Sequence, residues 1–116
     1  MATVFSKVGL SSSTNGQLIS IAATTSPGTS VHTAQSSTST FDEVWIYATN
    51  INTASVNLFL EWGTTGSTNE IRLSIPAQSG LTLVIPGLIL QNAKTVKAYA
   101  STANVVLLCG YVNRIS

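Results

Sequence analysis

The sequence predicts an all-β chain, an antiparallel β-sandwich or jelly-roll-like single domain, and three observations carry that expectation. Apolar residues alternate with a period of two wherever the chain is regular, and no stripe at i, i+3, i+4 is sustained. Short apolar runs are separated by clusters of Gly, Pro, Asn, Ser and Thr at spacings of about a dozen residues. At 116 residues the chain fits one domain with one core, large enough to do without disulfides or metals.

The strongest strand is FDEVWIYATN, where Val44, Ile46 and Ala48 alternate with Trp45, Tyr47 and Thr49. Large side chains on both faces predict a strand covered on both sides. In a two-layer sandwich only one face can turn toward the chain's own core, so the other needs a second cover, either the N-terminal segment or another subunit. In SVNLFLEWG, Leu58, Leu60 and Trp62 form the drier face and Asn57, Phe59 and Glu61 the wetter one. NEIRLSIP sets Ile71, Leu73 and Ile75 against Arg72 and Ser74. TNINTAS, GTTGSTN and PAQSG supply the turn residues between these runs. TVKAYAS alternates again, and NVVLLCGYVNRI is a longer apolar strand in which Gly110 marks a bulge or a close backbone approach.

The most apolar run, GLTLVIPGLILQN, holds about eleven residues from Gly80 to Leu90, against the roughly twenty that an apolar helix needs to span a membrane. It reads as a core strand with Leu81, Leu83 and Ile85 on one face, broken by Pro86-Gly87. Leu88, Ile89 and Leu90 then fall on a turn or edge as an exposed patch. Residues 1–40 are hydroxyl-rich and read as an arm or peripheral strands, with VFSKVGL and QLISIAATT as the two candidates; residues 41–116 form the sandwich core.

Composition narrows the function. Only 8% of residues are charged, against roughly 25% in a typical soluble domain, and Ser and Thr make up about a quarter of the chain. Net charge is +1, so copies repel one another weakly, and the chain reads as a component of an assembly. Lys7, Arg72, Lys94, Lys97 and Arg114 are scattered singly, which argues against a nucleic-acid partner. The N-terminus lacks the apolar region and cleavage site of a secretory signal, so the mature chain is expected to start near Met1 after cytoplasmic synthesis.

No catalytic, cofactor or metal site is expected. Asp42 and Glu43 are adjacent and point to opposite faces of a strand. His32 has no second histidine near it and reads as exposed, and Cys109 reads as a buried, inert thiol. There is no G-x-S-x-G elbow and no phosphate-cradling glycine loop. Trp45, Tyr47, Phe59, Trp62, Tyr99 and Tyr111 interleave with aliphatics at strand spacing, which favours a core over a sugar-stacking platform.

FDEVWIYATNINTASVNLFLEWG, IRLSIPAQSGLTLVIPGLIL and VKAYASTANVVLLCGYVNRI together resemble small virion proteins of tailed phages, especially those of aquatic and marine bacteria, of the capsid decoration or cement type. The resemblance covers about the last three quarters of the chain. It implies a β-rich protein on the outer surface of the head, without catalytic residues. The implied partners are further copies of itself, as a dimer, trimer or larger cluster, and the major capsid protein. A head-tail, neck or tail-fibre component is the alternative, with a carbohydrate-binding module behind it. From apolar surplus, the expected subunit or capsid contacts are Trp45, Tyr47, Ile85, Pro86, Leu88, Ile89 and Leu90.

Overall fold

A computed structural model describes residues 4–115. Among them run nine strands: β1 (Phe5–Gly9), β2 (Ile19–Ser20), β3 (Thr29–Thr33), β4 (Phe41–Asn50), β5 (Val56–Gly63), β6 (Glu70–Ile75), β7 (Thr82–Leu90), β8 (Thr95–Ala100) and β9 (Val106–Ile115), with one 3₁₀ turn at Ser67–Asn69. The protein is all-β. One antiparallel sheet has the order β1-β9-β4-β7, with the short β2 also paired to β9; the other has the order β3-β8-β5-β6. No helix among the described residues is long and apolar enough to cross a membrane.

The pairings nest. β5 pairs with β6, β4 with β7, β3 with β8 and β1 with β9, so the chain is one long hairpin folded about the β5–β6 turn and wrapped into two sheets, which is jelly-roll topology. The N-terminal segment follows the same plan. β1 and β2 extend the first sheet beyond β9, and β3 edges the second, so among the described residues this segment lengthens the sheets and does not lie across a face.

Burial alternates without a fault along β4: Val44, Ile46 and Ala48 are fully buried, while Trp45 and Tyr47 are half-buried on the opposite face. The inner row meets Leu58, Leu60, Val96 and Ala98 from the other sheet in a single apolar core, where each fully buried Leu, Ile or Val contributes about 1.5 to 3 kcal/mol. Asn50 ends the strand. Its side-chain amide donates to the carbonyls of Ala54 and Ile75, each at 3.0 Å, and its Oδ1 accepts from the Asn52 N–H at 2.9 Å, which folds TNINTAS back on itself.

Two glycines let neighbours approach β4. A Cβ on Gly110 would sit 1.9 Å from the Trp45 carbonyl oxygen, and one on Gly87 would sit 2.9 Å from the Trp45 ring. The sequence expectation for Pro86-Gly87 needs correcting: β7 does not break there. It runs on to Leu90 as an edge strand with register shifts opposite Val44/Trp45 and Ile46/Tyr47. An edge strand tolerates a proline, and a bulge absorbs the extra residue. The same shifts overturn the expected core face. Ile85 is buried opposite Ile46, but Leu83 pairs with the outward Tyr47 and is 44% exposed, and Leu81 precedes the strand at 60%.

Gly110→Ala should lower stability by about 2 to 4 kcal/mol, because the clash is with backbone that cannot rotate away. Urea unfolding should show this as a lower midpoint, whereas Gly9→Ala, which meets nothing within 4 Å, should stay within about 0.5 kcal/mol of the native chain.

Candidate functional site

The outward residues of β4 decide what the molecule presents. Antiparallel pairing sets neighbours side by side on one face, so the outer face of the first sheet reads in rows. Phe5, Ile115 and Phe41 form one row; Lys7, Asn113, Glu43 and Ile89 the next; then Gly9, Tyr111, Trp45 and Pro86; then Cys109, Tyr47 and Leu83. Most of these side chains are apolar or aromatic, and no other segment among the described residues forms a layer over them. Phe5 is 70% exposed and Ile89 55%. A contiguous apolar face of this kind is unusual on the surface of a monomeric protein.

The centre of the face is rigid. Trp45 and Tyr111 stack with centroids 6.1 Å apart and planes 14° from parallel, and the Lys7 ammonium lies 4.7 Å from the Tyr111 ring centroid, a cation–π contact. Glu43 Oε1 accepts from Trp45 Nε1 at 2.8 Å and from Asn113 Nδ2 at 3.0 Å. These bonds hold the Glu43 carboxyl below its ordinary pKa and fix the indole over Gly87. Burial raises the Cys109 thiol pKa, so the thiolate needed for nucleophilic chemistry is disfavoured.

Of the contacts expected from sequence, Trp45, Tyr47, Pro86 and Ile89 lie on this face, and Leu88 is exposed beside them in the bulged edge strand. Ile85 and Leu90 do not. Both are buried in the core, because the register shifts in β7 bring them to the inner side. Sequence reasoning missed the other members of the face, among them Tyr111 and Glu43 at its centre, Leu83 on β7, and Phe5, Lys7 and Gly9 on β1. The alternation in VFSKVGL was visible, but which of its faces joins β4 depends on pairing with β9.

A second polar group is built at the edge of the same sheet. His32, expected to be exposed, is 1% exposed. Its Nδ1 accepts from the Ser11 backbone N–H at 3.0 Å, so the ring proton sits on Nε2 and is donated to Asp42 Oδ2 at 2.8 Å. Asp42 also takes both arms of Arg114, at 2.9 and 3.0 Å, and the Gln35 amide at 3.1 Å. Burial pushes the Asp42 pKa up, but the bonds from Arg114 and His32 outweigh it and leave the carboxyl below its ordinary value.

Ser11 Oγ also lies 2.9 Å from His32 Nδ1, so serine, histidine and aspartate stand in line. The order superficially matches a hydrolytic relay. Yet the Nδ1 lone pair already receives a backbone N–H, and the hydroxyl accepts from the Thr33 N–H at 3.1 Å. The group ties the β1–β2 loop to β3, β4 and β9. Glu61, expected on the wetter face, is likewise buried. Burial raises its pKa, but the Ser26 hydroxyl and the backbone N–H groups of Gly28 and Gly66 lower it more.

The outer face of the second sheet carries a smaller feature. Phe59 and Tyr99 stack at 4.7 Å and 9°, the Tyr99 hydroxyl donates to Glu70 Oε2 at 2.5 Å, and Arg72 pairs with Glu70 at 2.6 Å. A shallow concavity lies beside them, lined by Asn57, Phe59, Arg72 and Leu73. Comparison with protein-family models, with curated proteins and with solved structures gives no match to this chain.

Asp42→Ala should cost about 1 to 3 kcal/mol, since it leaves the buried His32 Nε2–H and the partly exposed Arg114 guanidinium without their acceptor. The sign of its pH dependence follows from a folded-state pKa below the model value of 3.8. The stability Asp42 contributes is complete well above 3.8 and is lost as pH falls through that value toward the folded pKa. Urea midpoints measured from pH 6 down to about pH 2 should therefore fall less steeply in Asp42→Asn than in the native chain.

Proposed function

We propose that this protein is a structural subunit that works by docking: a decoration, or cement, protein on the outer surface of a tailed-phage head, made in the host cytoplasm. Its partners in this reading are the major capsid protein and further copies of itself. The observation that supports it most is the apolar outer face of β1, β9, β4 and β7, which no other segment among the described residues covers. The phage-specific part draws on the resemblance of the three quoted segments to small virion proteins. The jelly-roll topology adds nothing specific, because such folds host many functions.

The physical logic is that of many weak contacts. A chain with so few charges resists close approach of copies only slightly, and burying apolar area contributes about 25 cal/mol per Å². A small oligomer touching several capsid subunits gains affinity by effective concentration without any strong single contact.

Purified protein added to undecorated heads should co-sediment with them and raise their thermal or osmotic resistance; failure to bind would overturn the reading. Hundreds of copies per particle separate decoration from a head-tail, neck or tail-fibre role, which uses about a dozen or fewer. The double variant Leu83→Asp/Ile89→Asp changes two exposed side chains and should fold normally while weakening head binding at least tenfold.

A second reading, a carbohydrate-binding module, draws on the concavity beside Phe59 and Tyr99 with Arg72 and Asn57 at its wall. Glycan-array binding that disappears in Phe59→Ala supports it. An array without hits removes it.

A further inference from the structure

We infer that the outer face of the first sheet is a two-fold interface between two copies of this chain, with a two-fold axis running along β9 midway between the facing sheets. This deepens the docking reading and rests on it only in taking the bare face to be a contact surface.

The inference rests on self-complementarity. β9 lies between β1 and β4, so an axis along β9 lays β1 of one copy over β4 of the other. An isologous interface then pairs each residue reciprocally. The row holding Lys7, Asn113 and Glu43 puts Lys7 opposite the partner's Glu43, and Glu43 opposite the partner's Lys7. Within one chain both hydrogen bonds to Glu43 end on Oε1, so Oε2 is free of partners among the described residues and can take an ammonium. The next row, Gly9, Tyr111 and Trp45, puts the largest side chain of the face opposite the one position without a side chain. Gly9 has open space where a Cβ would stand, so no side chain at that position of β1 obstructs the partner's Trp45. In the row on the other side of Lys7, Phe5 meets the partner's Phe41.

With β9 on the axis, β1, β9 and β4 of one copy face β4, β9 and β1 of the other; strands about 4.8 Å apart and roughly 17 to 33 Å long then present on the order of 400 Å² before side-chain relief, the size of a weak, reversible contact. A second copy also supplies the outer cover that β4 needs and that β1 to β3 do not provide. Facing sheets aligned within about 30° are an ordinary packing mode.

The test is sedimentation equilibrium on the full chain from about 1 µM to 1 mM, with the native protein, Gly9→Trp, Lys7→Glu and the double reversal Lys7→Glu/Glu43→Lys. Gly9 has no neighbour within 4 Å of a Cβ and no left-handed backbone, so Gly9→Trp should melt no lower than the native chain. A native dimer whose dissociation constant rises at least tenfold in Gly9→Trp, rises in Lys7→Glu and falls back toward native in the double reversal supports the pairing. A native chain monomeric throughout, a trimer or higher species, or a dimer indifferent to Gly9→Trp overturns it. Head binding is measured separately: a monomeric native chain that still coats heads overturns the pairing and leaves decoration standing, and a dimer that ignores heads does the reverse.

Discussion

The period of two in β4 is the constraint on which the rest of the structure depends. This ten-residue strand is bonded on both sides, to β9 and to β7, so a slip of one residue would exchange its two faces wholesale. Val44, Ile46 and Ala48 can meet the second sheet only if Trp45 and Tyr47 point away from it. The core and the bare aromatic face are therefore one choice of register seen from two sides. Gly110 and Gly87 are consequences of that choice, since β9 and β7 must pass close to a strand carrying a tryptophan.

The nested hairpin accounts for where the polar groups went. Folding about the β5–β6 turn brings β3, the start of β4 and the end of β9 to one place, although His32, Asp42 and Arg114 are far apart in the chain. Asp42 falls on the inner side of β4, where an isolated carboxylate would be costly. Arg114 and His32 supply the donors that make the position tenable, and the loop at Ser11 is fastened to β3 in the same network. Glu61 repeats the solution at the other sheet with backbone N–H groups in place of an arginine.

A low-charge surface and a bare apolar face point in the same direction physically. Charge keeps copies apart, and here it is scarce. Where charges do stand on the outer face they are a lysine and a glutamate on opposite sides of β9, an arrangement that opposes association of like faces far less than a single-sign patch would. Rigidity adds to this, because a Trp45 already held by Glu43 and stacked on Tyr111 loses little freedom on contact.

How much of this was legible in the sequence varies by element. The all-β class, the strands in residues 41–116 and the close approach at Gly110 follow from local alternation and turn residues, which short-range sterics and side-chain direction control. Alternation set Trp45 and Tyr47 opposite Val44 and Ile46 but did not say which face turns inward, and the aromatics were weighed as core more than as contacts. The bulged path of β7 through Pro86 was not legible, because whether a proline ends a strand depends on whether that strand lies at an edge. Leu81 and Leu83 were consequently placed in the core and Leu90 in an exposed patch, while Ile85, correctly read as core, was also counted among the contacts. His32 looked exposed among hydroxyls because its partners are ten or more residues away in sequence, and Glu61 looked wet for the same reason. The sequence by itself determined which residues alternate and that more apolar surface exists than one core can hold. Only the tertiary structure decided which strands share a face, and with it where that surplus lies, since pairing between distant segments sets register and register sets direction.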